Sequence, residues 1–137
     1  MAGYSGTPLT KKLCIKGGAR VALAGAPPGF ASVLGALPDG AEFVPPSRKG
    51  LDVVLLFVRS RDELVRRFET YAGRIRPDGS LWVAWPKKAS GVGTDLAEPY
   101  VRRHGLDAGL VDVKVCALDE TWSGLRFVYR LKDRPRR

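Results

Sequence analysis

Unbroken hydrophobic runs alternate with amphipathic stretches along this chain. The clearest run is DVVLLFV at 52–58, which is rich in β-branched residues and carries a polar residue only at its start. A strand whose two faces are both covered has such a run, so the pattern predicts a buried strand of a parallel sheet. RVALA at 20–24 and SLWVAW at 80–85 read in the same way, and AEFV at 41–44 is a weaker strand.

Helical periodicity marks the stretches between these runs. Residues 30–37 carry apolar side chains at i, i+3, i+4 and i+7, and Pro38 ends the pattern. Ser60 and Glu63 form an S-x-x-E capping box, which opens a helix whose apolar stripe extends to Ile75. We therefore expect a helix after each of the first and third strands.

Two further helices are predicted from weaker signals. Residues 7–13 fit one or two helical turns, and residues 95–104 form a longer helix that Gly105 ends. Pro99 lacks an amide donor, which moves the expected start of the longer helix toward Glu98.

Two alternating segments, 111–118 and 125–131, close the chain as a hairpin. Strands that alternate with helices indicate a three-layer α/β protein. We predict a mostly parallel, Rossmann-like sheet of about six strands with an antiparallel hairpin at its C-terminal end. With 137 residues, the chain fits a single domain, with its core at about 7–131 and a basic tail at 132–137.

Composition narrows the class of protein. No apolar run approaches the ~20 residues that cross a bilayer, and the start has no secretory apolar region, so we expect a soluble cytoplasmic protein. Cys14 and Cys116 are far apart in sequence and are expected to be reduced thiols. A single histidine, His104, cannot build a histidine-rich metal site, and no metal is expected.

The net charge of +9 favours anionic partners. Lys114, Arg126 and Arg130 can form a basic stripe on one face of the hairpin and, with the tail, contact nucleic acid or an acidic protein. No recognition motif accompanies them, so such binding would be dominated by phosphate contacts and sensitive to salt. The alternative is an arginine-rich, solvated surface.

The strongest candidate site lies where the predicted parallel strands end, since open α/β sheets bind ligands beyond those ends. A small anion, a phosphorylated ligand or an acidic peptide would find cations, hydroxyls and unhindered backbone amides there. The alternative is an ordinary connecting loop. The candidate residues are Gly25, Gly29, Arg59, Trp85, Lys87, Lys88, Ser90, Gly91, Thr94 and Asp95, the last two being expected at a helix start.

The three tryptophans can belong to the core or to a binding site. Trp82 and Trp85 differ by an odd number and should point to opposite faces of one strand. Trp82 is expected in the core, whereas Trp85 can be core or can line a pocket. Trp122, in the hairpin turn, either folds back onto the core, which we favour, or is an exposed anchor for a partner.

No complete catalytic constellation is visible. Ser90 or Ser123 with His104 lacks the G-x-S-x-G elbow of a serine hydrolase. Cys116 alternates into a strand as a small hydrophobic residue, and no phosphate-binding P-loop or zinc spacing occurs.

The element order and three phrases resemble the class I S-adenosylmethionine-dependent methyltransferase fold in a shortened form. GARVALAGAPPG looks like its first strand and nucleotide loop, DVVLLFV like its fourth strand, and GRIRPDGSLWVAWP like the entry to its fifth. The resemblance implies an acid late in the first strand, a glycine-rich loop after it and a second acid after the second strand.

The chain departs from that pattern. Leu23 stands near the place of the first acid, Pro27 and Pro28 remove two amide donors from the loop, and the second strand is followed by apolar residues and prolines. One strand–helix unit is also missing. We therefore expect no cofactor and a non-catalytic binding or regulatory protein; the alternative is a methyltransferase-like enzyme that uses the same strand-end cleft.

A second resemblance covers nearly the whole chain. YSGTPLTKKL, AGAPPGF, LWVAWPKKASGVGTDL and GLVDVKVCALDETWSGL are similar to a family of small bacterial proteins known as a domain of unknown function. That resemblance implies a stand-alone domain and no particular activity.

Overall fold

A six-stranded mixed sheet forms the centre of the computed structural model, which describes residues 8–131. The predicted basic tail at 132–137 lies outside the described residues. The strands are β1 (Arg20–Ala24), β2 (Glu42–Phe43), β3 (Leu51–Phe57), β4 (Ile75–Pro86), β5 (Leu110–Ala117) and β6 (Trp122–Tyr129). The helices are α1 (Leu9–Lys12), α2 (Phe30–Leu34), α3 (Arg61–Ala72) and α4 (Glu98–Asp107).

The strands lie in the order β2-β1-β3-β4-β6-β5. The first four are parallel, and β6 pairs antiparallel with both β4 and β5. This arrangement confirms the predicted Rossmann-like α/β fold and its closing hairpin.

Side chains alternate between two cores, one on each face of the sheet. From β3, Val54 and Leu56 point toward α3 and α4, whereas Val53 and Leu55 join the cluster under α1 and α2. Both sets are buried, so the unbroken apolar run at 52–58 reflects a strand covered on both sides. The result is the predicted three-layer architecture.

Two predicted helix bounds are wrong. The helix starting at Phe30 stops at Leu34 because Gly35 adopts a left-handed conformation with φ 77°, and Val33 is left 47% exposed. The helix after Ser60 stops at Ala72, so that Ile75 starts the next strand instead of continuing the helical stripe.

Helix α4 agrees with the sequence prediction at its start and corrects it at its end. It begins at Glu98 with Pro99 in its first turn, where a missing amide donor costs nothing. Gly105 does not end it: this glycine lies buried inside the last turn, and the helix continues to Asp107.

Candidate functional site

The order of the strands reverses at β1, which has β2 on one side and β3 on the other. The helices that follow β1 and β3 pack on opposite faces of the sheet, and the region outside the carboxyl ends of these two strands, called the crevice below, is the usual ligand position in such sheets. Gly25 begins the β1 loop with φ +70°, and a Cβ there would lie 2.8 Å from the carbonyl oxygen of Phe57. The two loops approach so closely that only glycine fits at this position.

Arginines surround this glycine. The Arg59 Nη1 donates to the carbonyl of Gly25 at 3.4 Å, and its guanidinium lies 5.0 Å from the ring centre of Trp122. The Nη1 of Arg67, from α3, would lie 3.1 Å from a Cβ at position 25. The crevice between β1 and β3 is therefore cationic, which suits an anionic group of a ligand.

The loop after β4 is tied to the beginning of α3. The Thr94 hydroxyl donates to the carbonyl of Arg59 at 2.8 Å, and the Asp95 carboxylate accepts from the amide of Arg61 at 2.8 Å. The Arg61 Nε also donates a hydrogen bond to the backbone carbonyl of Asp95 at 2.9 Å. Asp95 thus caps α3.

That arrangement differs from the prediction, which placed Thr94 and Asp95 at the start of their own helix. The first turn of α3 already receives protein acceptors: the Ser60 hydroxyl accepts from the Glu63 amide at 3.1 Å, and the Glu63 carboxylate accepts from the Arg59 amide at 2.7 Å. These contacts fix Arg59 at the mouth of the crevice.

The predicted cations of the 86–93 loop have different environments. Lys87 is bound to the β5–β6 turn, because its ammonium donates to the Asp119 carbonyl at 2.6 Å and its amide to the Thr121 carbonyl at 2.8 Å. Lys88 starts a single 3₁₀ turn and is exposed. The Ser90 hydroxyl donates to the Lys87 carbonyl at 2.6 Å and so closes that turn.

Two glycines of the candidate set serve local turns. Gly91, with φ +79°, follows the 3₁₀ turn, and Gly29, with φ +80°, precedes α2. Among the predicted site residues, the structure therefore brings Gly25, Arg59 and Asp95 together around the start of α3, and it assigns Lys87 and Ser90 to the neighbouring turn.

The tryptophans belong to the core. Trp82 is fully buried under α1 and donates its Nε1 hydrogen to the Leu13 carbonyl at 3.1 Å. Trp85, 5% exposed, points to the opposite face and packs in the α3–α4 cluster instead of lining a pocket. Trp122 is also 5% exposed and meets Phe57 edge-on at 5.0 Å, so its candidacy as an exposed partner anchor is wrong.

The predicted basic stripe is partly engaged within the protein. Lys114 and Arg126 are paired across β5 and β6, and they share a face. The Lys114 ammonium donates to the Lys12 carbonyl at 2.8 Å, and the Arg126 Nε donates to the Ser80 hydroxyl at 2.7 Å. Arg130 lies beyond the end of β6.

Two further reactive side chains, Cys116 and His104, lie outside the crevice. Burial raises the pKa of the Cys116 thiol, which disfavours the nucleophilic thiolate. The buried Nε2 of His104 has no hydrogen-bond partner, and its ring meets Phe68 edge-on at 5.0 Å. Within residues 8–131, no cluster of three metal-ligating side chains occurs, and no helix is long and apolar enough to span a membrane.

Solved structures with the same fold are methyltransferases and their relatives. A TehB-like SAM-dependent methyltransferase from Corynebacterium glutamicum matches with a TM-score of 0.58 and 13% identity, over 94% of this chain and 91% of that one. Fibrillarin from Aeropyrum pernix, with natively bound S-adenosyl-L-methionine, matches with a TM-score of 0.53 and 17% identity, over 92% and 70%. A DhpI–SAH complex matches with a TM-score of 0.57 and 12% identity, over 90% and 83%.

No protein-family model and no curated relative matches this chain. The structural likeness nevertheless corrects two expectations drawn from the eroded sequence motifs. The expected non-catalytic role and the expected absence of a cofactor are both overturned by neighbours that are methyltransferases or hold S-adenosyl compounds, and the alternative of an enzyme is favoured.

Proposed function

We propose that this protein is an S-adenosylmethionine-dependent methyltransferase whose cofactor binds in the crevice between the β1 and β3 loops. The observation that carries the proposal is Gly25, a left-handed glycine against the Phe57 carbonyl, at the point where the strand order reverses. Ligands of open α/β sheets occupy this position, and a glycine lets the backbone approach them.

The residues of the crevice suit one end of an S-adenosyl compound. Its amino-acid carboxylate would be held by the guanidinium groups of Arg59 and Arg67, which present planar, charged donors. The cofactor supplies an electrophilic methyl group on a sulfonium. Arg59 is oriented by its bond to Gly25 and by Trp122, so that little side-chain freedom would be lost on binding.

The sugar end must be held differently from the pattern implied by the family resemblance. Leu23 lies late in β1 and Val44 follows β2, so neither position offers a carboxylate to ribose hydroxyls. Membership of the small bacterial family of unknown function is compatible with this proposal and stays a prediction.

Calorimetry with the full chain tests the cofactor. We expect saturable binding of S-adenosylmethionine and of S-adenosylhomocysteine. Arg59→Gln should weaken both about tenfold, because a hydrogen bond to a charged group is removed. Arg66→Gln removes the same charge from an exposed arginine of α3 that pairs with Asp62, and it should leave both affinities unchanged. No binding of either compound to the native chain would overturn the proposal.

Transfer itself needs a second measurement. Bacterial extract incubated with methyl-tritiated S-adenosylmethionine should gain label with the native chain and gain less with Arg59→Gln at a subsaturating concentration. If S-adenosylmethionine binds tightly but no label appears in the protein, nucleic-acid or small-molecule fractions, the proposed cofactor binding stands and the proposed methyl transfer is overturned.

A further inference from the structure

A cleft lies at the amino ends of the parallel strands, opposite the crevice at their carboxyl ends, and is called the amino-edge cleft below. Its volume is about 340 Å³, within the range of small-molecule sites. Strands β1 and β3 separate it from the crevice, by about 15 Å for a five-residue strand. The residues that matter for its chemistry are Lys16, Asp52, Arg76, Asp78, Ser80 and Arg126.

A large bulge in β4 builds one wall of this cleft. Leu51 pairs with Ile75 and Val53 pairs with Ser80, so one residue of β3 opposes four residues of β4. Gly79 permits the bulge, because a Cβ there would lie 2.9 Å from the Leu51 carbonyl oxygen. The bulged segment carries Arg76 and Asp78 along the cleft.

The hydroxyl of Ser80 positions the side chain of Arg126. Its Nε donates to the hydroxyl of Ser80 at 2.7 Å, and Ser80 is only 3% exposed. In the described part of the chain, no carboxylate forms an ion pair with Arg126, whereas Arg76 lies between Asp52 and Asp78 at 3.8 and 3.6 Å. Arg126 is half-buried and lines the cleft, and because only its Nε is used in the bond to Ser80, its two terminal nitrogens remain to bind an oxyanion with two parallel bonds.

The α1–β1 loop completes the site on its open side. Lys16 adds an exposed ammonium there. Gly18, with φ +78°, has no heavy atom within 4 Å of where a Cβ would be, so there is open space beside it, although its amide already donates to the Asp39 carbonyl at 3.0 Å. The cleft therefore combines two cations that lack carboxylate partners in the described residues with two carboxylates beside Arg76.

We propose that this cleft binds a small phosphate monoester that carries hydroxyl groups, such as a sugar phosphate. Arg126 would hold the phosphate through two bonds, Lys16 would add the second charge, and Asp52 would accept from a hydroxyl. A nucleic-acid strand fits less well, because Asp52 and Asp78 would repel its neighbouring phosphates. This site is independent of the proposed methyltransferase function.

Calorimetry with ribose 5-phosphate, inorganic phosphate, ribose and a single-stranded oligonucleotide tests the site on the full chain. Ribose 5-phosphate should bind with a stoichiometry of one and inorganic phosphate more weakly, while ribose should not bind. Arg126→Gln should weaken ribose 5-phosphate about tenfold or more. Arg126→Lys keeps the positive charge but loses the paired donors of the guanidinium, so it should also weaken the binding of ribose 5-phosphate.

Arg66→Gln is the matched control, since it removes one exposed arginine charge and leaves the cleft intact. The affinity of the Arg66→Gln variant for ribose 5-phosphate should stay within twofold of the native affinity. The proposal is overturned by an absence of ribose 5-phosphate binding, by equal losses in Arg126→Gln and Arg66→Gln, or by an oligonucleotide that binds more tightly than ribose 5-phosphate. Circular dichroism checks folding, and unchanged S-adenosylmethionine affinity in Arg126→Gln separates this site from the crevice.

Discussion

A single phenol illustrates how residue-scale contacts join the elements of this fold. The Tyr129 hydroxyl, at the end of β6, donates to the carbonyl of Ala72 at the end of α3 at 2.6 Å. Burial raises the pKa of this phenol above its ordinary value of about 10. Only the protonated form can donate, so this contribution to stability is complete below about pH 10 and is lost as the pH rises through the folded-state pKa.

Tyr129→Phe should therefore have two effects on the free energy of unfolding. At pH 7 we expect a loss of about 1 kcal/mol, because one hydrogen bond is removed and its buried acceptor is left unpaired. Above pH 10 the variant should lose stability less steeply than the native protein. Urea denaturation between pH 7 and pH 11 measures both; Tyr71→Phe keeps the bond and should follow the native slope, and parallel alkaline slopes for Tyr129→Phe and the native chain would contradict the prediction.

At the scale of elements, α4 packs against the sheet through a glycine. A Cβ added to Gly105 would lie 2.0 Å from the Cε1 atom of Phe127, so the helix can approach β6 only without a side chain there. In an exposed helix, replacing glycine with alanine stabilises by about 1 kcal/mol. Here the sign should reverse, because the added methyl group overpacks the core by about 1–3 kcal/mol.

Gly105→Ala should accordingly lower the urea midpoint. Gly73→Ala is a matched control: Gly73 follows α3 with φ −73°, and its Cβ would meet ordinary contacts of 3.5 and 3.6 Å. That variant should be neutral or slightly stabilising. Adding Phe127→Leu to Gly105→Ala should recover part of the loss by making space, and equal stabilities of the two alanine variants would contradict the packing argument.

The same elements show what a sequence can and cannot predict. The unbroken run of β3 predicts a covered strand because burial on both faces leaves no place for polar side chains. From the sequence, Gly105 is predicted to end the helix. Its actual role, a close contact with Phe127, cannot be predicted locally because Phe127 lies 22 positions later in the chain. The bulge within β4 also depends on residues far apart in sequence, because its pairing with β3 is set by the sheet.

Long-range contacts also explain what was missed in the candidate site. Asp95 looks like a local helix cap, but its carboxylate serves the amide of Arg61, 34 residues away. Arg67 was not among the candidate residues, and only the folded structure places its guanidinium beside Gly25. The Ser80–Arg126 bond joins two strands that are neighbours only in the folded sheet, so the amino-edge cleft has no continuous sequence signal.

At the scale of the whole molecule, the proposed sites lie at opposite edges of one rigid sheet. Strands β1 and β3 connect the edges, and every residue of β3 from Val53 to Phe57 is buried in one of the two cores. Coupling between two sites requires an element with two arrangements that both ligands bias. A covered parallel strand that is packed on both faces at high density leaves little space for a second arrangement.

The two ligands should therefore bind independently. Calorimetric titration of S-adenosylmethionine should give the same dissociation constant, within twofold, with and without saturating ribose 5-phosphate. Arg59→Gln should weaken only the first ligand and Arg126→Gln only the second, and the double variant should show each loss unchanged, as expected for distant substitutions. A change of more than fivefold in either dissociation constant in the presence of the other ligand would contradict the argument that the sheet is rigid. It would mean that an element between the two sites moves. Hydrogen exchange would then be measured first in the loops that leave β1 and enter β3.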